Sequence, residues 1–167
     1  MAAGQSRIVA SIADMQAMAA KSKGKAVMEI DLPEVVAEVG AAFERYERAL
    51  VSNDVATLDE LFRQDSRTIR YGLAENLYGH EEIAAFRAGR PSRGLKRTLS
   101  RTVITTYGRD LAVASTLFHR DTVPGKVGRQ MQTWARCDEG WRVVATHVSL
   151  IDAPKDEAPD PGVPAKA

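Results

Sequence analysis

Two polar residues stand where the sequence pattern favours apolar side chains. Tyr46 falls on the apolar stripe of a predicted helix, and Arg70 lies inside the short strand-like segment RTIRYG. The helical stripe consists of Val36, Val39, Phe43, Tyr46 and Leu50. A phenol can transfer a proton and a guanidinium can hold an anion, so these two residues are the first candidate catalytic pair.

Arg70 has two open interpretations. The alternation of a strand places it on the same face as Thr68, in a segment that follows directly from the helices. A buried arginine without a compensating negative charge is costly, so it normally has an acidic partner or an anionic ligand. If Arg70 is structural, its partner would be Glu47 or Asp65 in a salt bridge. If Arg70 is an anion clamp, its partner would be a carboxylate of the substrate.

Tyr46 also has two interpretations. Most buried tyrosines are core residues whose hydroxyl donates to a backbone acceptor. If Arg70 lies within hydrogen-bonding range, however, its positive charge stabilises the phenolate, and the hydroxyl becomes a usable general acid or base.

A second set of candidates lies in the C-terminal segment GRQMQTWARCDEGWRVVATHVS. Strand alternation places Gln130, Gln132 and Trp134 on one face, and we expect His147 on the last strand to face the same cavity. Glutamine amides both donate and accept hydrogen bonds, which suits a urea or amide substrate. The alternative, that this is a solvated convex face, stays equally open.

Arginine usage is the strongest compositional bias. Between positions 45 and 142 the chain has fifteen arginines and two lysines, Lys96 and Lys126. Arginine is preferred where a planar fork must hold a carboxylate in two places, so the bias favours a pocket for small carboxylates. The alternative is the codon bias of a GC-rich genome, with most arginines at the surface.

Several classes of site and partner are disfavoured. The three histidines, His80, His119 and His147, show no metal-binding motif, so we expect neither a metal nor a cofactor. The single Cys137 excludes an internal disulfide and suits a reducing cytoplasm. A net charge of +1 and the absence of a long apolar run favour small-molecule partners over nucleic acid or membranes.

The chain divides into three predicted parts. Residues 1–27 give only a weak helical pattern and are expected to be a loosely structured extension. Residues 28–152 form the predicted domain. Residues 153–167 are rich in proline and poor in apolar groups, so we expect a disordered tail.

Within 28–152 the pattern predicts helices first and strands afterwards. One helix begins with Asp31 as its N-cap and ends near SND, a second begins at Asp54, and a third ends at Gly89. RTIRYG precedes the third helix, and four strands follow between residues 96 and 151, separated by YGRD, VPGKVG and DEG. Such short connections require antiparallel neighbours. The prediction is an α+β fold with three N-terminal helices on the concave face of one strongly curved antiparallel sheet.

The order and spacing of five strings resemble the AtzH-like proteins, also called HpxZ-like or oxalurate-catabolism proteins. The strings are FERYERAL, NDVATLDELF, RTIRYG, NLYGHEEIAAFRAGRP and GRQMQTWARCDEGWRVVATHVSL. This family belongs to the nuclear transport factor 2 superfamily, with the SnoaL-like domains, and the resemblance covers roughly residues 28–152. It implies a cone-shaped fold with a pocket between helices and sheet, and a homodimer or higher homo-oligomer.

The resemblance also implies an activity. It suggests an amidohydrolase that converts 1,3-dicarboxyurea to allophanate in nitrogen catabolism, beside a partner amidase of the amidase-signature type. Tyr46 and Arg70 match the catalytic positions proposed for the family. Dicarboxyurea and oxalurate-like substrates, and hydrolysis and decarboxylation, stay open as alternatives. The C-terminal strings also resemble the association domain of calmodulin-dependent kinase, so a non-catalytic binding or accessory protein is the competing hypothesis.

Overall fold

The computed structural model describes residues 27–154. The predicted N-terminal extension (1–27) and proline-rich tail (153–167) lie outside the described residues, except for residue 27 and residues 153–154. The helices are α1 (Pro33–Ser52), α2 (Val55–Leu61) and α3 (His80–Gly89). The strands are β1 (Ile69–Tyr71), β2 (Asn76–Tyr78), β3 (Thr98–Tyr107), β4 (Leu111–His119), β5 (Lys126–Cys137) and β6 (Gly140–Asp152).

Helix α1 starts differently from the prediction. Leu32, not Asp31, is the N-cap residue. Pro33 occupies the first turn, where backbone N–H groups have no partner within the helix, so the lack of an N–H in proline costs no hydrogen bond. The Asp31 carboxylate instead accepts a hydrogen bond from the backbone N–H of Thr106 at 2.8 Å. The backbone N–H of Asp31 donates to the Thr106 carbonyl at 3.1 Å, so these two bonds join the start of α1 to β3.

The buried face of α1 holds Tyr46 as predicted, with one shift in the stripe. Its buried residues are Val35, Val39, Phe43, Tyr46, Ala49 and Leu50, so Val35 takes the place predicted for Val36. The helix ends at Asn53, whose left-handed backbone lets its N–H bond the carbonyls of Ala49 and Leu50. Asp54 then caps α2 by accepting from the backbone N–H of Thr57 at 3.0 Å, which confirms its predicted role.

The six strands form one sheet in the order β2-β1-β6-β5-β4-β3. Strands β3 to β6 form the predicted antiparallel meander. The prediction of an entirely antiparallel sheet is wrong at one place, because β1 pairs with β6 in parallel. These two strands are separated by α3 and the whole meander, so no short turn fixes their relative direction.

Two irregularities bend the sheet. The pairing of β3 with β4 shifts between Ser100 and Val103, where Arg101 has a left-handed φ of 51°. The pairing of β5 with β6 shifts between Thr133 and Trp134. Bulges of this kind increase the local twist and bend a strand. The three helices cover the concave face, and the predicted α+β architecture is confirmed.

One close approach between strands positions two arginines. Phe118 of β4 is paired with Gly128 of β5 and lies flat across it, so a methyl group on Gly128 would overlap the aromatic ring. The guanidinium of Arg97 lies 4.7 Å from the centre of this ring, and that of Arg120 lies 5.1 Å from it. Gly128 is therefore required for Phe118 to support both cations.

We predict that Gly128→Ala destabilises the fold by about 1–3 kcal/mol, the usual cost of inserting a methyl group into a filled core. The measurement is the free energy of unfolding from urea titration. Gly89→Ala is the matched control, since nothing lies within 4 Å of its added methyl group and its backbone is not left-handed. Equal stability of the two variants would contradict the assigned role of Gly128.

Candidate anion-binding site

A small cavity of about 180 Å³ lies between α1, α3, the β1–β2 hairpin and the concave face of the sheet. Its volume corresponds to about six water molecules, which suits a compact ligand. One lining residue, Glu75, is acidic. The basic residues of the lining are all arginines: Arg70, Arg87, Arg90, Arg97 and Arg120. The cavity is therefore suited to a small anion.

A wider depression of about 550 Å³ on another part of the surface lacks this bias. Its lining contains three arginines and three acidic residues: Arg63, Arg136, Arg142, Glu60, Asp138 and Glu139. The balanced charges give it no preference for an anion, so we assign the site to the smaller cavity.

Tyr46 and Arg70 both line this cavity. The Tyr46 residue is 5% exposed, and its ring packs against Phe62 and edge-on against Trp134, with centroid distances of 6.3 and 6.5 Å. Within residues 27–154 its hydroxyl has no hydrogen-bond partner, so the backbone acceptor considered from the sequence is not found there. The ring is fixed by the core while the hydroxyl remains available to a ligand.

Arg70 has an acidic partner, but neither of those considered from the sequence. Its Nη1 donates to Glu75 Oε1, and its guanidinium lies 4.8 Å from the centre of the Phe86 ring. Glu75 reaches back from the β1–β2 turn, and its carboxylate fills the space beside Gly72 that a side chain would occupy. The Arg70–Glu75 contact uses a single nitrogen of the guanidinium, so the other donors of Arg70 remain for a ligand.

Glu47 holds a different arginine. Arg97 donates to both Glu47 oxygens, with its Nε 3.0 Å from Oε2, and its Nη2 also donates to Gln130 Oε1 at 3.0 Å. Gln130 Nε2 in turn donates to Glu47 Oε1 at 3.2 Å, which closes the network. Gln130 therefore lines the cavity, while both polar atoms of its amide already have protein partners.

Arg87 is tied to helix α2. Its Nη1 donates to the Leu58 carbonyl at 2.8 Å and to Asp59 Oδ1 at 2.9 Å, and the guanidinium lies 4.0 Å from the centre of the Phe62 ring. Burial lowers the pKa of Arg87, while the negative charges of Tyr46, when ionised, and Asp59 oppose that shift. Three of the five cavity arginines thus have a carboxylate partner.

Arg90 and Arg120 form no ion pair with any residue the structure describes. Arg90 Nη2 donates to Asn53 Oδ1 at 3.0 Å. Within residues 27–154, the buried Nε atoms of Arg90 and Arg120 have no acceptor. Burial lowers the pKa of both guanidinium groups, and a negative charge on Tyr46 would raise it again. Five arginines and the three carboxylates of Glu75, Glu47 and Asp59 leave an excess of two positive charges.

The remaining predicted site residues are not in the cavity wall. Gln132 and Trp134 share the concave face with Gln130 and are fully buried. Neither the Gln132 amide nor Trp134 Nε1 has a hydrogen-bond partner in the part of the chain that the structure describes. The expectation that His147 faces the cavity is wrong. His147 pairs with Met131, which alternates to the opposite face of β5, and its exposed ring contacts Tyr71 at 6.2 Å.

The described residues offer no group of three or more histidine, cysteine, aspartate or glutamate side chains that could hold a metal. The same part of the chain contains no helix long and apolar enough to cross a membrane.

Four cavity arginines and Glu75 were not predicted from the sequence. Arg87 had a local signal, because it follows buried Ile83 by one helical turn on the inner face of α3. Arg90, Arg97 and Arg120 stand outside the regular elements and had only the general excess of arginine over lysine as a signal.

Comparison with known proteins places this cavity in a recognised fold. The AtzH-like family profile matches residues 28–154. A protein of unknown function from Pectobacterium atrosepticum is 62% identical, covering 74% of this chain and 95% of its own, with a TM-score of 0.72. A cystatin-like fold protein from Burkholderia xenovorans is 49% identical, covering 77% and 100%, with a TM-score of 0.74.

More distant structures share the fold alone. An NTF2-like protein with a cystatin-like fold from Novosphingobium aromaticivorans is 21% identical and covers 87% of this chain and 93% of its own, with a TM-score of 0.56. No curated protein matches the chain. The predicted nuclear transport factor 2-like fold is confirmed.

We predict that Glu75→Gln raises the affinity of the cavity for glutarate, a small dicarboxylate, by about three- to tenfold. The substitution removes a negative charge that repels and competes with a bound carboxylate, an effect that solvent and salt moderate. Isothermal titration at low ionic strength measures it, with exposed Glu81→Gln as the control. Weaker glutarate binding by Glu75→Gln would instead mean that Glu75 holds Arg70 in its binding position.

Proposed function

The chain belongs to the AtzH-like family, and from this premise we propose that it is an amidohydrolase of the decarboxylating type. Its substrate would be a small N-carboxylated urea, 1,3-dicarboxyurea, and its product allophanate, in the catabolism of nitrogenous compounds. The observation that carries the proposal is the Tyr46 hydroxyl, which has no hydrogen-bond partner within residues 27–154, in a cavity with two excess positive charges.

The chemistry follows from the substrate. Dicarboxyurea is a dianion near neutral pH, so the excess charge of the cavity complements it. The unengaged donors of Arg70 hold one carboxylate, and Tyr46 donates its proton to the adjacent carbamate nitrogen. The bond between that nitrogen and the carboxylate carbon breaks, its electron pair stays on nitrogen, and carbon dioxide leaves. Solvent then returns a proton to the phenolate.

This route requires no covalent nucleophile from the protein. Loss of carbon dioxide from an N-carboxy group follows once the nitrogen is protonated, so a positioned proton donor and an anion clamp are sufficient. Hydrolysis and decarboxylation then describe the same net conversion. A cytoplasmic location, a homo-oligomeric state and a partner amidase of the amidase-signature type belong to the same proposal.

The Arg70–Glu75 contact favours a second candidate function. A carboxylate already occupies part of Arg70, so exchange of Glu75 for a ligand carboxylate would allow reversible binding without chemistry. The protein would then carry an unstable intermediate or serve as an accessory to an amidase. Saturable release of allophanate above the spontaneous rate favours the enzyme, whereas tight binding without acceleration favours the carrier.

We predict that Tyr46→Phe lowers turnover of dicarboxyurea by about 100-fold or more, the usual effect of removing a general acid or base. Folding should be nearly intact, because the ring keeps its contacts with Phe62 and Trp134. Activity and melting temperature are measured on the same preparations. Tyr78→Phe, which alters an exposed tyrosine, is the control. A destabilised Tyr46→Phe variant with full specific activity would remove the catalytic assignment.

We predict that Arg70→Lys lowers turnover by about tenfold or more although the charge is retained. An ammonium group cannot reproduce the planar two-point contact with a carboxylate, and a hydrogen bond to a charged group accounts for an effect of this size. Steady-state kinetics measure the change, with Arg67→Lys as the control, since the Arg67 side chain is 82% exposed. Unchanged kinetics together with a lower melting temperature would identify Arg70 as a structural ion-pair residue.

A further inference from the structure

The five cavity arginines fall into two groups. Arg70, Arg87 and Arg97 each have a carboxylate partner within the protein. Arg90 and Arg120 have none among the described residues, and each has a buried Nε without an acceptor. Both residues line the cavity, so the protein supplies two guanidinium groups there without a carboxylate partner. A ligand would be held by their Nη groups, because both Nε atoms are shut off from solvent.

The unused capacity is costly for the folded state. A cation that is partly removed from water without a negative partner loses solvation that its neighbours do not replace, and an unmade hydrogen bond adds to this loss. Burial accordingly lowers the pKa of both residues. Their direct contacts are a neutral amide, Asn53, and the face of the Phe118 ring, and neither neutralises the charge. The charges of Arg97 and Glu47 also act on Arg120, in opposite directions.

We propose that Arg90 and Arg120 form a second carboxylate-binding subsite, which makes the cavity selective for dicarboxylates over monocarboxylates. Arg70 would bind the first carboxylate of the ligand and the Arg90–Arg120 pair the second. The inference rests on the proposed function in taking this cavity as the substrate site. It adds the residues that determine specificity for a ligand with two carboxylates.

The subsite would also separate substrate from product. Dicarboxyurea carries a carboxylate at each end, whereas allophanate carries one, because the other has left as carbon dioxide. Selectivity is a difference in affinity, and here Arg70 loses its anionic partner when the product forms, while the Arg90–Arg120 pair keeps the remaining carboxylate. The second subsite would therefore make the cavity bind the dianionic substrate at two points and the product at one.

The test compares two ligands of similar shape and different charge. Glutarate replaces the urea of dicarboxyurea with a methylene chain of equal length and cannot be decarboxylated by nitrogen protonation. Glutaramate carries a neutral amide in place of one carboxylate. Titration calorimetry at low ionic strength gives the affinity of each for the native protein, Arg90→Gln and Arg120→Gln. Exposed Arg93→Gln, which alters a residue in the same connecting segment, is the matched control.

We expect the native protein and Arg93→Gln to bind glutarate at least about tenfold more tightly than glutaramate, the scale of a hydrogen bond to a charged group. Arg90→Gln and Arg120→Gln should bring the two affinities close to equality. Without ligand, Arg120→Gln should melt at the same temperature as the native protein or higher, because a half-buried positive charge without an ion-pair partner among the described residues is removed. Glutarate should raise the melting temperature of the native protein more than that of either variant.

The possible outcomes separate this inference from the proposed function. No measurable glutarate binding, or a preference for glutarate that survives both substitutions, overturns the second subsite even if dicarboxyurea is turned over. A clear loss of melting temperature in Arg120→Gln with unchanged ligand preference assigns Arg120 a structural role and also overturns it. A charge preference that depends on Arg90 and Arg120, without turnover of dicarboxyurea, supports the subsite and removes the enzymatic proposal.

Discussion

The repulsion among five guanidinium groups in one small cavity is the constraint on which the architecture of this protein depends. Two kinds of interaction reduce this repulsion. Carboxylates neutralise three of the guanidinium groups, and aromatic ring faces contact four of them, those of Arg70, Arg87, Arg97 and Arg120. A ring face attracts a cation without cancelling its charge, so the aromatic contacts support the arginines while the cavity stays positive. Carboxylates alone would have produced a neutral cavity with no affinity for an anion.

Each support comes from a different part of the chain, which explains why a whole domain is needed to build so small a site. Glu47 comes from α1, Asp59 from α2 and Glu75 from the β1–β2 turn. Phe118 belongs to the sheet, where Gly128 gives it room. The bend of the sheet and its helical cover bring these groups to one place, and electrostatic interactions are stronger in a partly buried cavity than at the surface.

Patterns of hydrophobic periodicity were sufficient to predict the helices, the meander and the inward position of Tyr46, because burial imposes a regular spacing on the sequence. The face occupied by His147 was not predictable in the same way. It depends on the register between β5 and β6, which contains a bulge, and a displacement of one residue reverses the face of every side chain. The parallel β1–β6 pair and the Arg70–Glu75 contact likewise join segments whose relative placement no local pattern encodes. The excess of arginine indicated an anion site, but only the three-dimensional arrangement distinguishes the paired arginines from Arg90 and Arg120.

The proposed reaction has a property that suits a cavity of fixed positive charge. When Tyr46 gives its proton to the carbamate nitrogen and carbon dioxide leaves, the dianion becomes a monoanion and the phenol becomes a phenolate. The number of negative charges in the cavity is the same before and after the step, because one charge has moved from a ligand carboxylate to Tyr46. Arg87, Arg90 and Arg120 all interact electrostatically with Tyr46, so the groups that face the ligand also face the new charge. The negative charge moves only from a ligand carboxylate to Tyr46, so arginines held by rings and by carboxylates need little rearrangement to stabilise it. Stabilisation of the transition state by groups that are already positioned lowers the activation barrier most effectively. Under this mechanism the arginine cluster is both the binding site for the dianion and the fixed environment of the proton transfer.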